Sequence, residues 1–257
     1  MTLPTLTPSS INDLMDCAKK YHTLRVLKEW PPRDGVHLGI EFGIGFHAII
    51  RQVYDPRRKP LPHLDDLPVW ARKAFYARRY PDAETRECEM ERCLQAVYAY
   101  VAQDEDAEAT FDVEVEGSLT VEHAGQPLFD LYARLDRVLV RPNEPEHLIV
   151  RDYKCAARHV NLLEAYVLLR VAKLLYPTYQ HYSVEFDWIA DGTVERDIIA
   201  GSELKGLDPI VKARALEVFT ASEYPAQPGD GCLGCPLRRE CREQPPVELS
   251  AVFGDQI

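Results

Sequence analysis

Two consecutive stretches decide the fold of this chain, Leu128–Val140 (LFDLYARLDRVLV) and His147–Cys155 (HLIVRDYKC). Both are rich in aliphatic and β-branched residues, which is typical of buried strands. The segment between them, residues 141–145 (RPNEP), has the proline and asparagine content of a turn. The pattern therefore predicts two neighbouring strands of one sheet that are joined by a short turn.

Two carboxylates and an amine lie near the ends of these predicted strands: Asp136 on the first, Asp152 and Lys154 on the second. Residues two apart in a strand share a face, so Asp152 and Lys154 are expected to point to the same side. Two carboxylates on neighbouring strands can share a hard divalent cation, and an ammonium beside them can hold a water molecule or a phosphate oxygen. This layout suits phosphodiester hydrolysis, although an Asp-x-Lys sequence also occurs at solvated, salt-bridged strand ends.

The order Asp136, turn, Asp152-x-Lys154 resembles the motif of the PD-(D/E)XK nuclease superfamily, in its RecB-like branch. The resemblance implies an α/β fold with a restriction-endonuclease-like core of order α-β-β-β-α-β and a mixed central sheet. It also implies that Lys154, Asp152 and Asp136 are catalytic, and that Asp136 and Asp152 bind Mn²⁺ or Mg²⁺. The whole chain, 1–257, is then expected to be one nuclease domain.

The rest of the hydrophobic pattern agrees with that order of elements. Alternation of apolar and acidic residues predicts a strand at Thr110–Glu122, ahead of the hairpin. A helical insertion is expected at about 55–105. The predicted helices cover Ile11 to about Glu29, Ile40–Tyr54, Leu67–Tyr80, about 83–103, Val160–Tyr176 and Asp208–Ser222, and the last two strands cover Gln180–Ile189 and Thr193–Ile199.

A histidine precedes the core in the spacing that the RecB-like family uses. Gly43-x-x-x-His47 matches its Gly-x-x-x-His pattern, which implies that His47 is a third metal ligand. A small residue one helical turn before a histidine allows a metal or another backbone to come close. An imidazole among carboxylates favours Mn²⁺ over Mg²⁺, although a histidine on an apolar helix is more often a core residue.

Two further positions are implied by the resemblance. Glu116 matches the family's upstream acidic position and is a candidate helper acid, with Glu114 as the competing candidate; a solvent-facing strand glutamate is the simpler interpretation of Glu116. Tyr166 matches the tyrosine of a Gln-x-x-x-Tyr motif that orients DNA. Leu162 stands in place of its glutamine, which leaves the efficiency or the substrate choice of the enzyme open.

Three cysteines lie close together near the C-terminus, in the cluster at 232–241: Cys232, Cys235 and Cys241. Thiolates at this spacing can wrap a soft metal, but a closed site needs a fourth ligand, and Cys17 is the natural candidate. In the iron–sulfur subgroup of the RecB-like family one N-terminal cysteine joins three C-terminal ones. The resemblance thus implies a 4Fe-4S cluster that clamps the two ends of the chain, and a Zn²⁺ site is the alternative.

The composition sets broad limits on the partners of the chain. It has 46% hydrophobic and 28% charged residues, as ordinary globular proteins do, and its net charge of −11 argues against broad, non-specific DNA coating. Basic residues are in excess over 19–79 and acidic residues over 80–257. No apolar run approaches the roughly 20 residues of a membrane span, and the start of the chain does not resemble a signal peptide, so a cytoplasmic protein without a membrane partner is expected.

These observations predict a metal-dependent deoxyribonuclease, an exonuclease that acts on single-stranded DNA or DNA ends. Within the family, the compact CRISPR-associated RecB-like exonuclease is the most similar in layout, which implies DNA-processing proteins such as a CRISPR integrase as partners. Virus-encoded and stand-alone recombination nucleases share the same layout. The alternative function is a catalytically weak, nuclease-derived DNA-binding or adaptor subunit that retains the cluster.

Overall fold

The computed structural model describes residues 3–31, 38–57, 64–76, 80–155, 161–190, 193–229, 232, 235–239 and 241. The chain forms two compact units. The sheet unit comprises residues 1–8 and 33–207, and the terminal unit comprises residues 9–32 and 208–257. Each unit is built around its own set of secondary-structure elements.

A six-stranded mixed sheet is the centre of the sheet unit. Its order is β1-β3-β4-β5-β6, and β2 also pairs with β3. β1 runs parallel to β3 and β4 runs parallel to β5, whereas β2/β3, β3/β4 and β5/β6 are antiparallel. The strands are β1 Thr5–Leu6, β2 Thr110–His123, β3 Gln126–Leu139, β4 His147–Lys154, β5 His181–Ala190 and β6 Thr193–Ala200. The predicted mixed sheet and the predicted central hairpin β3–β4 are confirmed; β1 was not predicted, since two residues are too short for a periodic signal.

The turn between β2 and β3 explains the long hairpin that these strands form. Ala124 and Gly125 have φ values of 50° and 75°. Two consecutive residues at positive φ make the kind of tight turn whose twist matches that of the flanking strands. Gly125 adopts this conformation without steric cost, whereas Ala124 adopts it at some cost.

The described residues of the sheet unit also form four α-helices: α3 Leu38–Tyr54, α4 Leu67–Tyr76, α5 Ala83–Gln103 and α6 Leu162–Leu175. They confirm the predicted helices, although residues 58–63 and 77–79 of the predicted insertion lie outside the described residues. α3, α4 and α5 pack on one another around a core that includes Phe42, Phe46 and Phe75. α6 links the parallel strands β4 and β5, as a crossover helix does, and packs against β2 and β3.

Two arginines are fully buried on one face of the central hairpin. Arg137 of β3 and Arg151 of β4 are register partners, and each has 0% of its surface exposed. Because strand side chains alternate, the preceding residue on β3 and the following residue on β4 face the other side of the sheet. Those two residues are Asp136 and Asp152, so one hairpin carries buried cations on one face and the predicted catalytic acids on the other.

The terminal unit contains α1 Pro8–Asp16, α2 Ala18–Tyr21, a π-helical turn at His22–Val26, and α7 Leu207–Phe219; the first residues of α1 and of α7 belong to the sheet unit. α7 confirms the predicted last helix. The single helix predicted from Ile11 to about Glu29 is wrong, because the helix is interrupted at Cys17, whose φ of −162° and ψ of 121° are extended. Cys17 therefore begins a second helix instead of lying within the first one.

Among the described residues, no helix has both the length and the apolar content that a membrane crossing requires.

Candidate metal centre

The predicted acids lie where β3 and β4 part. The last registered pair of these strands is Arg137 and Arg151, so Asp136 and Asp152 are the first residues beyond it on each strand. Both are buried, at 8% exposure. The N–H of Tyr153 donates a hydrogen bond of 3.1 Å to Oδ2 of Asp136, which fixes the carboxylate of β3 against the backbone of β4.

Three side chains meet at this point and could hold one metal ion. The ligand atoms of His47, Glu114 and Asp136 all lie within 4.8 Å of one another. Among the described residues, no other group of three or more histidine, cysteine or acidic side chains is as close. His47 reaches the group from α3, Glu114 from β2 and Asp136 from β3. One imidazole and two carboxylates form a donor set that suits a divalent ion such as Mn²⁺.

The ring of His47 has an unsatisfied atom at this site. Its Nδ1 is buried, lies 3.4 Å from Oδ1 of Asp136 and makes no hydrogen bond within the described part of the chain. Buried polar atoms are normally hydrogen-bonded, and an exception calls for an explanation such as an absent ion. The donor set and the unsatisfied nitrogen together fit a metal ligand.

The clustered carboxylates and their burial shift the pKa values of several groups at the centre. Burial lowers the pKa of His47, but the carboxylates of Asp136, Asp152 and Glu114 outweigh burial and raise that pKa to about 9. Burial raises the pKa of Asp152 to about 6, against the opposing effect of Lys154. Burial and Asp136 also raise the pKa of Glu114. The centre thus concentrates negative charge that a cation would stabilise.

Asp152 is not among the three clustered ligands, because Lys154 holds it. Nζ of Lys154 lies 2.9 Å from Oδ2 of Asp152 and 2.7 Å from Oε2 of Glu164 on α6. Burial lowers the pKa of Lys154, but these two carboxylates raise it well above its usual range. Asp152 and Lys154 do share a face, as predicted. Glu164 was not predicted to lie at this site, because its contact with Lys154 depends on how α6 packs against the sheet.

Glu114 is the acidic residue of β2 that belongs to the candidate metal-binding group with His47 and Asp136. Glu116, the predicted helper acid, is exposed, and its side chain makes a hydrogen bond with Tyr132. Glu114 has a φ of 52°, a left-handed value that is strained for any residue other than glycine. This departure from strand geometry directs Glu114 to the metal group, and such strain is commonly found at functional sites.

The close approach on α3 occurs at Gly45, not at Gly43. A Cβ on Gly43 would meet Cβ of Cys155 at 3.7 Å, an ordinary contact. A Cβ on Gly45 would collide with the ring of Phe75 on α4. The Gly-x-x-x-His pattern therefore leads to His47 at the centre, whereas the glycine that α3 requires for packing against α4 is Gly45.

Tyr166, predicted to orient DNA, is buried at 3% exposure on α6, and the guanidinium of Arg170 lies 5.8 Å from the centre of its ring. Leu162, at the first position of the altered motif, is exposed.

The four predicted cluster cysteines line one cavity of about 390 Å³ in the terminal unit. Sγ of Cys17 accepts the N–H groups of Lys20 and Gln227, at 3.5 and 3.4 Å. Sγ of Cys232 accepts the N–H of Gly229 at 3.5 Å. Cys235 and Cys241 complete the lining, so the first thiol of the chain and the three last ones face a common space.

Comparison with known proteins extends this description. The family model of the PD-(D/E)XK nuclease superfamily matches residues 5–242. The search of curated proteins found no match. Among solved structures, the one titled "Crystal structure of SSO0001" has a TM-score of 0.44 and 14% sequence identity, over 95% of this chain and 88% of that chain.

Proposed function

Because this chain belongs to the PD-(D/E)XK nuclease superfamily, we propose that it is a metal-dependent deoxyribonuclease that removes nucleotides from single-stranded DNA or DNA ends. Membership makes it a metal-dependent nuclease, and DNA is the substrate that the family implies. One observation carries the rest of the proposal. His47, Glu114 and Asp136 form a group that could bind one metal ion, and it lies beside the strand pair that carries Asp152 and Lys154 of the family motif.

The chain supplies both the ligands and the charge balance for the reaction. His47, Glu114 and Asp136 would hold a divalent ion, and Asp152 adds a carboxylate from the neighbouring strand. When bound, the ion lowers the pKa of a water molecule and polarises the phosphoryl oxygen. The imidazole favours Mn²⁺ over Mg²⁺, which prefers oxygen ligands.

We assign two roles to Lys154. It would position the attacking water, and it would stabilise the negative charge that develops on the phosphorus group. Its ammonium is held between Asp152 and Glu164, so it is fixed in position before the substrate arrives. A group that is already oriented costs little reorganisation when charge develops in the transition state. Lys154 also keeps Asp152 charged, because it opposes the effect of burial on that carboxyl.

The test is cleavage of single-stranded DNA labelled at either end, with Mn²⁺, Mg²⁺ or a chelator. Wild-type protein is expected to cut only with a metal, and the labelled end that is shortened first gives the polarity. Lys154→Ala and Asp136→Asn should each lower the rate by about a hundredfold or more. Lys205→Ala, an exposed lysine in the same unit, is the matched control. Equal cleavage by Lys154→Ala and Lys205→Ala would remove Lys154 from the chemistry.

The second candidate is a DNA-binding or adaptor subunit with little turnover. The observation in its favour is Leu162, which is exposed on α6 and offers no polar group where the family has a glutamine. A DNA-binding assay run beside the cleavage assay separates the two functions. Binding without metal-dependent cleavage selects the adaptor.

We also propose that Cys17, Cys232, Cys235 and Cys241 hold a structural 4Fe-4S cluster. A zinc ion with Zn–S bonds of about 2.3 Å brings its sulfur ligands to within about 3.8 Å of one another. In an iron–sulfur cluster the thiolates bind different irons and stand farther apart, which agrees better with four sulfurs around a cavity of about 390 Å³. Iron and zinc analysis after anaerobic purification, with a visible spectrum, decides between them.

Two features of the sequence also support the CRISPR-associated RecB-like type, with a CRISPR integrase as its partner. They are the order of His47, Asp136 and Asp152-x-Lys154 along the chain, and the presence of one N-terminal and three C-terminal cysteines. Co-expression with an integrase, followed by gel filtration of the mixture, tests this part of the proposal. Separate elution of the two proteins in the presence of DNA would count against it.

A further inference from the structure

A groove of about 830 Å³ runs along α3 in the sheet unit and passes the candidate metal centre. His47 and Glu114, two of the three clustered ligands, belong to its lining. Its remaining walls come from α3 between Leu38 and Arg51, from Arg134 of β3 and from Cys155 after β4. A volume of this size is ordinary for a ligand pocket. The groove is therefore continuous with the place where the reaction is proposed to occur.

Apolar side chains form an exposed ledge at the far end of this groove. Leu38, Ile40 and Ile44 are 36%, 46% and 40% exposed, although all three are large and aliphatic. Ile40 and Ile44 are one helical turn apart, and they share their face of α3 with His47 and Arg51. An exposed apolar patch beside a functional site usually marks a binding surface.

Positive charge lies at the other end of the groove. Arg51 is exposed on the last turns of α3, and its charge acts on Glu114 to oppose the rise in the pKa of that carboxyl. Nε of Arg134 lies 2.8 Å from Oε2 of Glu114, and the side chain of Arg134 is 52% exposed. The face of α3 thus presents an apolar ledge, then a metal ligand, then a cation.

We propose that this groove binds the unpaired nucleic-acid strand on one side of the scissile phosphate, with its bases against Leu38, Ile40 and Ile44 and its phosphates toward Arg51 and Arg134. The inference rests on the proposed nuclease function and adds to it the residues that would select an unpaired strand. Bases in a duplex are stacked and paired, so a duplex offers phosphates and base edges to a protein. Only an unpaired strand offers base faces, which pack on apolar side chains while cations follow the backbone.

The experiment compares two double variants of exposed aliphatic residues. Ile40→Ser/Ile44→Ser removes the ledge, and Leu64→Ser/Val69→Ser removes two side chains of similar exposure, 48% and 54%, outside the groove. Cleavage kinetics are measured on single-stranded oligo-dT. Binding to oligo-dT and to a duplex with closed ends is measured in the Lys154→Ala background. A 2-aminopurine base in the single strand reports contact of a base with the ledge.

The ledge variant is expected to raise KM for the single strand by about tenfold with little change in kcat, since it removes binding that is equal in ground and transition states. Duplex binding and the control variant should be unchanged, and the 2-aminopurine signal of binding should be lost only in the ledge variant. A fall in affinity for single strand and duplex alike would overturn the assignment to an unpaired strand.

Failure of this inference is distinguishable from failure of the proposed function. If wild-type protein cuts and the ledge variant cuts equally well, the ledge does not bind nucleic acid and the nuclease function stands; the patch is then a surface for a protein partner. If wild-type protein binds the single strand through the ledge but does not cut with Mn²⁺ or Mg²⁺, the groove is supported and the nuclease function falls.

Discussion

Nζ of Lys154 lies 2.7 Å from Oε2 of Glu164, so a carboxylate on α6 holds the amine that the motif places on β4. Asp152, on the other side of this amine, is 2.9 Å away. Asn161 caps the first turn of α6 by accepting the N–H groups of Leu163 and Glu164, which fixes the backbone from which the glutamate projects. Leu162, on the same turn of α6, occupies the position of the family's glutamine. Glu164 therefore supplies a polar group beside Lys154 in a chain that lacks that glutamine.

Glu164→Gln is expected to lower kcat by about tenfold and to leave KM nearly unchanged, because it loosens a group that acts in the transition state. Glu164→Asp should recover part of the rate, since it keeps the charge. Steady-state cleavage of a single-stranded oligonucleotide checks this, with Glu122→Gln on the exposed end of β2 as the control. A wild-type kcat for Glu164→Gln would mean that Asp152 alone positions Lys154.

Glu114→Gly is expected to abolish Mn²⁺ binding without lowering the free energy of unfolding. The φ of 52° at Glu114 costs about 1 kcal/mol for a residue with a Cβ, and the carboxylate faces that of Asp136. Glycine removes both penalties and one metal ligand. Calorimetric titration with Mn²⁺ and urea denaturation measure the two effects.

Ala124→Gly is the matched control for that variant. Ala124 has a φ of 50° in the β2–β3 turn and lies outside the metal group, so its replacement relieves similar strain and should leave Mn²⁺ binding intact. A marked loss of stability in Glu114→Gly would show that the glutamate is structural.

The central hairpin was predictable because it depends on local signals. Aliphatic runs on either side of a proline-containing turn specify β3 and β4, and strand periodicity then places Asp152 and Lys154 on one face. Glu114 was only an alternative to Glu116, because regular alternation gives both residues the same side. The positive φ of Glu114 distinguishes it from Glu116 and leaves no mark in the sequence of β2.

The break at Cys17 was missed for a related reason. The apolar spacing through Ile11, Leu14 and Leu24 suits one long helix, and no proline or glycine interrupts it. The interruption is stabilised by hydrogen bonds to Sγ of Cys17, one of them from Gln227, about two hundred residues away. A contact over that sequence distance cannot be inferred from helical periodicity.

Cys17→Ala is expected to give protein that is insoluble or, if soluble, colourless. The cluster would lose one of its four thiolates, and ligand binding that occurs only in the folded state contributes directly to stability. Iron content per chain and the visible spectrum after anaerobic purification are the measurements. Cys88→Ala, an exposed thiol on α5, should retain the iron of the wild type. Soluble, brown Cys17→Ala protein would exclude Cys17 as a ligand.

A network of buried charges supports the hairpin from the face opposite the metal centre. Arg151 contacts Asp104 at 2.9 Å and Glu185 at 2.6 Å, and Arg137 contacts Asp104 at 2.8 Å. Burial raises the pKa of Asp104 and of Glu185, but the arginines outweigh burial, and both pKa values lie below their usual range. A depressed pKa in the folded state contributes stability above the unfolded pKa, near 4 for these groups, and that stability is lost as the pH falls through the folded value.

The contribution of this network to the free energy of unfolding is therefore expected to be constant from about pH 7 to pH 5 and to fall below about pH 4, and urea denaturation of the wild type and of Glu185→Gln over this range measures it. Glu185→Gln removes one of the carboxylates that neutralise the buried guanidinium of Arg151. This should lower the free energy of unfolding by about 3–5 kcal/mol at pH 7. The same variant should show a shallower loss of stability in acid, because one of the titrating groups is gone. Glu122→Gln, at an exposed site, should follow the wild type within about 0.5 kcal/mol at every pH. An acid profile of Glu185→Gln parallel to that of the wild type would mean that this network does not set the acid limit of the fold.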